Sequence, residues 1–173
     1  MTRFHSSSIL RIPALAGLCA TWLALAPAPL AAASGEGCVG DGATTIKVTV
    51  EKVRSSKGLI TAVLYDDNPK TFLKNGARLD RIRVEATQGE TELCLNAPAA
   101  GRSYSVALYH DENGNTEFDT DFLGIPTEGY GFSQNPGFRF GKPDVEETLF
   151  NITEDQVALR ISLLYLNGQK VSK

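Results

Sequence analysis

One segment of this chain gathers hard oxygen ligands at close intervals. It reads Tyr109-His110-Asp111-Glu112-Asn113-Gly114-Asn115-Thr116-Glu117-Phe118-Asp119-Thr120-Asp121, and no Lys or Arg stands between Arg102 and Arg139. Hard cations such as Ca²⁺ are held by oxygens from carboxylates, amides and backbone carbonyls. Asp111, Asn113 and Asn115 take positions one, three and five of such a loop. Glu117 at seven offers a backbone oxygen, and Asp119 falls at nine. The pattern departs from an EF-hand, because Gly114 stands at four rather than six and Phe122 replaces the bidentate Glu at twelve. The expectation is a DxNxN…D loop within a β-protein, with calcium as its candidate ion. The competing expectation is a solvated acidic turn whose Asp and Asn side chains bond their own backbone.

His110 stands beside Asp111, and it is the one His after residue 33. A His next to a carboxylate invites general acid–base chemistry. A hydrolase or lyase would draw on His110 with Asp111, Glu128 or Ser133. Successive side chains of a strand point to opposite faces, so His110 and Asp111 would not share a proton directly. The favoured reading is a structural His that holds the long following loop by hydrogen bonds. Glu128-Gly129-Tyr130-Gly131-Phe132-Ser133 lacks phosphate-cradle spacing. Its Tyr130 and Phe132, with Phe138, would serve a carbohydrate-binding module by stacking on a sugar, or else form a small core of their own. His110, Glu128, Tyr130, Phe132 and Ser133 together make a candidate ligand loop.

The elements that must position these residues read as strands. Ile46, Val48 and Val50 alternate with polar neighbours, and Gly58 to Tyr65 is an apolar run suited to a central strand. Alternation returns at Ile82 and Val84, at Leu93 and Leu95, at Tyr104, Val106 and Leu108, and from Val157 to Tyr165. Leu149 to Ile152 is a short further candidate. Asn75-Gly76, Gln88-Gly89 and Pro98 to Gly101 mark turns between them. A single helical turn is expected around Phe72 and Leu73. Gly124 to Pro143, rich in Gly, Pro and aromatics, reads as a long structured loop. About seven short strands at this spacing predict an all-β domain, a β-sandwich of immunoglobulin-like or transthyretin-like type.

The ends of the chain bound its setting. Arg3 and Arg11 flank a largely apolar Ile12 to Leu30, and Ala31-Ala32-Ala33 offers a cleavage site before Ser34. The expectation is a signal peptide over 1–33 and a mature domain over 34–173, periplasmic or secreted, with no membrane span after cleavage. Cleavage would move the net charge from −3 to −5 by removing Arg3 and Arg11. An acidic exported domain does not suit nucleic acid as a partner. An oxidising compartment favours a disulfide between Cys38 and Cys94, the two cysteines that remain. Two distant cysteines and one His do not make a usual zinc ligand set.

Taken together, Cys38-Val39-Gly40, Gly58 to Tyr65, Tyr109 to Asn115, Asp119, Leu123-Gly124-Ile125-Pro126, Glu128 to Ser133, Pro143 and Tyr165 resemble the DUF2141 family, exported bacterial proteins of unknown function. The resemblance covers nearly all of the mature chain. It implies a small β-sandwich in the periplasm or outside the cell and brings no established activity or binding residue. The residues themselves favour a non-enzymatic module that binds or scaffolds at the envelope, with an extracellular partner or glycan as its target.

Overall fold

The computed structural model describes residues 44–138 and 141–166. The expected signal peptide over 1–33 and Cys38 lie outside the described residues. Eight strands are present: β1 Thr44–Val53, β2 Leu59–Tyr65, β3 Asp80–Glu85, β4 Gly89–Ala97, β5 Ser103–Asp111, β6 Gly129–Phe132, β7 Phe150–Asn151 and β8 Gln156–Ser162. They form two sheets. One is ordered β4-β1-β8, with β8 parallel to β1. The other is ordered β3-β2-β5-β6, with β7 added on β5.

The sandwich follows from period-two alternation. Ile46, Val48 and Val50 of β1, Leu93 and Leu95 of β4 and Ile161 of β8 face Ile60, Ala62 and Leu64 of β2 and Tyr104, Val106 and Leu108 of β5. All of these are buried. The Tyr104 hydroxyl donates to the Ala99 carbonyl at 2.9 Å and thereby ties the β4–β5 turn to the core. Cys94 sits between inward Leu93 and Leu95 on β4.

The larger sheet is covered on its second face as well. Val63 and Tyr65 of β2 are buried there with Phe72 and Val145, against Ala107, Phe132 and Leu149. The segments 66–79 and 141–149 therefore fold over the outside of this sheet. The helical turn expected at Phe72 and Leu73 is a hydrogen-bonded turn, and a 3-10 turn follows at Asn75–Ala77.

One element corrects the sequence reading. Gly129–Phe132 lies inside the stretch expected to be loop, and it is strand β6. Its composition hid it, because its inward positions are glycines. A Cβ at Gly129 would stand 2.3 Å from the Tyr165 ring, and one at Gly131 would stand 2.9 Å from Ile161 Cγ2. The C-terminal segment lies there instead of side chains: Tyr130 and Leu164 exchange both backbone hydrogen bonds, at 3.0 and 2.8 Å. The residues after β8 thus leave the small sheet and close the open edge of β6.

That close approach gives a direct test. Gly129→Ala should lower stability by about 1–3 kcal/mol, the usual cost of overpacking. Gly76→Ala, where nothing lies within 4 Å of the added Cβ, should change it by less than about 0.5 kcal/mol. Urea unfolding of the two variants measures both, and equal stabilities would contradict the packing described.

Candidate functional site

His110 occupies the inner face near the end of β5 and is fully buried. Its Nε2 lies 2.7 Å from the Lys57 carbonyl and its Nδ1 lies 2.7 Å from the Tyr165 hydroxyl. A carbonyl only accepts, so Nε2 carries the proton, and in the neutral ring Nδ1 accepts from the Tyr165 O–H. The Arg54 N–H donates to that same hydroxyl at 3.2 Å. The ring therefore joins the β1–β2 turn, β5 and the C-terminal segment. Neither of its two ring bonds goes to the Gly/Pro-rich loop that it was expected to hold. Beside it, Gly58 has a φ of 69°, and a Cβ there would fall 1.9 Å from the Asp111 carbonyl oxygen. Only glycine permits that approach.

Asp111 points to the other face of the same strand. Its Oδ1 accepts from the Asn115 N–H at 3.1 Å and its Oδ2 from the Thr116 N–H at 2.7 Å. Asp119 Oδ2 accepts from the side-chain amides of Asn113 and Asn115, at 2.6 and 2.9 Å. The Asn115 Oδ1 accepts from the Glu117 N–H. Glu128, 4 % exposed, accepts from the Glu112 and Asp119 N–H groups at 3.2 Å each. So Glu128 belongs with the acidic loop, a placement that sequence distance concealed. The loop bonds to its own backbone and amides in the way an Asx-rich turn does. Among the described residues no three His, Cys, Asp or Glu side chains are arranged to hold a metal ion.

Electrostatics differ between neighbouring carboxyls. Burial raises the Glu128 carboxyl above the ordinary range, and the charges of Asp111 and Asp119 raise it further, against the two N–H groups. Glu112 is lowered, chiefly by hydrogen bonding to Arg54, whose Nε reaches Oε1 at 2.9 Å. The Arg54 guanidinium also lies 4.4 Å above the centre of the Tyr165 ring.

Among the described residues His110 makes no hydrogen bond to Asp111, Glu128 or Ser133, the partners of the catalytic reading. Ser133 is fully buried; its Oγ accepts from the Val106 N–H at 2.9 Å and donates to the Thr148 carbonyl. Both ring nitrogens of His110 and both oxygens of Glu128 are engaged elsewhere. The arrangement holds a fold in place and contains no nucleophile–base contact among the described residues.

Tyr130 and Phe132 project from β6 onto the outer face of the large sheet. Strand register sets two rows across that face: Arg83, Thr61, Tyr109, Tyr130 and then Arg81, Val63, Ala107, Phe132. Ring contacts run unbroken from Tyr65 to Phe72, Phe132, Tyr130, Phe118 and Tyr109, with centroids 5.5–6.3 Å apart. All of these rings except Phe72, with Phe138 and the loop residues Leu123 and Ile125, line a groove of about 1850 Å³. Arg78, Arg81, Arg83 and Lys142 also line it, and among the described residues Glu117 is its one acidic residue. Two lining residues, Leu73 and Thr116, hold positive φ values of 63° and 68°. A β-branched residue rarely adopts that conformation, and such strain gathers at ligand clamps. Thr116 is kept there by the Asp111 carboxylate and by its own carbonyl, which accepts from Tyr109 Oη at 3.1 Å and Arg83 Nη2 at 3.3 Å.

Sequence reasoning named Tyr130, Phe132 and Phe138 but missed Tyr109, Phe118, Arg78, Arg81 and Arg83. The outward alternation of Arg81 and Arg83 on one predicted strand was the available signal.

Two outcomes follow from this geometry. His110→Ala should cost about 2–5 kcal/mol of stability, from the cavity it leaves and the loss of its two hydrogen bonds; a loss below 1 kcal/mol in urea unfolding would contradict the clasp. Glu128 has a raised folded-state pKa, so protonation favours the fold. Its ionised form weighs against stability most fully above that raised range, and the penalty vanishes below the unfolded carboxyl range. The stability of Glu128→Gln relative to the native protein should therefore be greater at neutral pH than in acid. A difference independent of pH would contradict the burial of that charge.

Comparison with known proteins adds a family. A family sequence model described as "Uncharacterized protein conserved in bacteria (DUF2141)" matches residues 48–160. Neither a curated protein nor a solved structure matches the chain. The matched span runs from within β1 into β8 and so includes the His110 clasp residues Lys57 and His110, the acidic loop and β6. The chain belongs to the DUF2141 family.

Proposed function

We propose that this chain is an exported, non-enzymatic binding module of the cell envelope, and that it meets its ligand in the groove over the outer face of β3-β2-β5-β6. The observation that carries this reading is the unbroken path of six aromatic rings. Tyr65 and Phe72 anchor the path in the covered part of the sheet, and its other end lies open, with Phe118 at 42 %, Leu123 at 68 % and Phe138 at 50 % exposure. A surface with that much apolar area left in water points to an occupant. A neutral fluorescent probe, N-phenylnaphthylamine, should brighten on the folded protein and compete for one site. Phe118→Ala should weaken that binding by about 0.5–1.5 kcal/mol, an aromatic contact's worth. No brightening above that seen with the unfolded chain would remove the groove as a site.

Export and the disulfide belong to the same reading. The mature protein should begin near Ser34, and N-terminal sequencing of material outside the cytoplasm should find that end. Pairing of Cys38 with Cys94 predicts no free thiol in denatured, unreduced mature protein. A retained Met1, or two free thiols, would each refute its part.

Calcium binding by Asp111, Asn113, Asn115, Glu117 and Asp119 is a second reading. What favours it is the like charge of Asp111, Asp119 and Glu128 gathered in one place, which a cation would relieve. A melting temperature raised by calcium over chelator, and indifferent to calcium in Asp119→Ala, would support it. A melting temperature that ignores calcium in the unaltered protein would leave an acidic turn closed on itself.

A further inference from the structure

We infer that the occupant of this groove is an anionic amphiphile, a long-chain carboxylate held head-first against the arginines of β3 with its chain lying across the sheet towards β6. The inference rests on the binding-module reading above and adds the chemistry of the ligand. Charge is the first argument. The chain carries a net charge of −3, yet the groove is lined by Arg78, Arg81, Arg83 and Lys142 against Glu117 alone among the described residues. That segregation favours an anion at the β3 end.

Two donors there are unmet. The Nε atoms of Arg78 and Arg83 are buried and have no hydrogen-bond partner among the described residues. A buried charged donor left unbonded is costly, and a carboxylate is the acceptor a guanidinium fits best. A carboxylate head at this end would supply an acceptor that these guanidinium groups lack, and the bond from Arg83 Nη2 to Thr116 would remain.

The rest of the groove argues for a hydrocarbon body. From the β3 arginines one row runs through Val63 and Ala107 to Phe132 and the other through Thr61 and Tyr109 to Tyr130, a span of roughly 14 Å at ordinary strand spacing. The wall opposite the sheet is Phe118, Leu123 and Ile125. Sugar recognition would want coplanar exposed rings and a dense set of hydroxyl or amide partners. Here Tyr130 meets Phe118 and Phe132 at interplanar angles of 74° and 67°, so the rings pack edge to face on each other. An apolar chain suits that lining better than an acidic glycan does.

Decanoate, decanol and polygalacturonate distinguish the possibilities by calorimetry on the mature protein. The expected result is decanoate binding at least about tenfold tighter than decanol, the ratio one charge-assisted hydrogen bond supplies. That advantage should shrink with added sodium chloride and disappear in the double variant Arg78→Gln, Arg83→Gln. The salt dependence on the unaltered protein stands even if the variant misfolds. Equal binding of decanoate and decanol would overturn the anionic head while leaving the groove as a binding site. Binding of polygalacturonate alone would make the occupant an acidic glycan and overturn the amphiphile. If neither decanoate nor decanol binds, and N-phenylnaphthylamine does not either, the binding-module reading falls with it. If that probe binds but decanoate does not, only the amphiphile is lost.

Discussion

The two hydrogen bonds of the His110 ring constrain three parts of the chain at once. Lys57 lies in the turn after β1, Tyr165 lies beyond β8, and His110 is the last residue but one of β5. A buried imidazole with both nitrogens matched is stable where it is and expensive to move. It therefore sets the phase of β5. With His110 turned inward, Tyr109 and Asp111 must turn outward. Asp111 then meets the loop that follows and Tyr109 meets the groove. The Tyr165 ring, held by His110, fills the space over Gly129 that a side chain would otherwise take. That leaves β6 with glycines inside and Tyr130 and Phe132 outside. One polar contact in the interior thus settles which residues line the outer face.

The carboxylates of the acidic loop act mainly as acceptors for backbone N–H groups. Asp111 serves Asn115 and Thr116, and Glu128 serves Glu112 and Asp119. Those bonds fold a stretch that has no regular structure of its own, and they do so at the cost of gathering like charges. Glu128 shows that cost, since burial and its acidic neighbours push its carboxyl up. Glu112, one residue beyond Asp111, is drawn the other way by Arg54. At its partial exposure the Arg54–Glu112 pair contributes at most about 1 kcal/mol. Its more telling role is positional: Arg54 also covers the Tyr165 ring, so the pair shields the His110 contact from water.

Much of this was legible in the sequence. Alternation at Ile46 to Val50 and Tyr104 to Leu108, and the apolar run from Gly58 to Tyr65, locate real strands, and the expected opposition of His110 and Asp111 holds because β5 extends through both. What stayed hidden depended on register between distant segments. β6 has no apolar inward residues to alternate, because another part of the chain supplies them. Glu128 is sixteen residues from the N–H of Glu112 that it accepts, and nothing local marks the pair. Arg81 and Arg83 read as the wet side of an ordinary strand. Only the pairing of Arg83 with Thr61, and of Thr61 with Tyr109, puts them in line with the aromatics.

The acidic loop and the groove are mechanically one unit. Thr116 is the joint. Its N–H is held by the Asp111 carboxylate and its carbonyl by Tyr109 and Arg83, which hold it at a backbone angle that it would not adopt alone. Strain of that kind persists only where the surroundings over-determine it, and three partners do so here. Phe118, two residues on, is placed by the same joint between Tyr109 and Tyr130. A change in the charge state of the loop therefore bears on the groove through covalent geometry, without any contact between a carboxylate and a ligand. Loosening Asp111 would free Thr116, and freeing Thr116 would release both the ring that walls the groove and a bond that steadies Arg83 at its basic end.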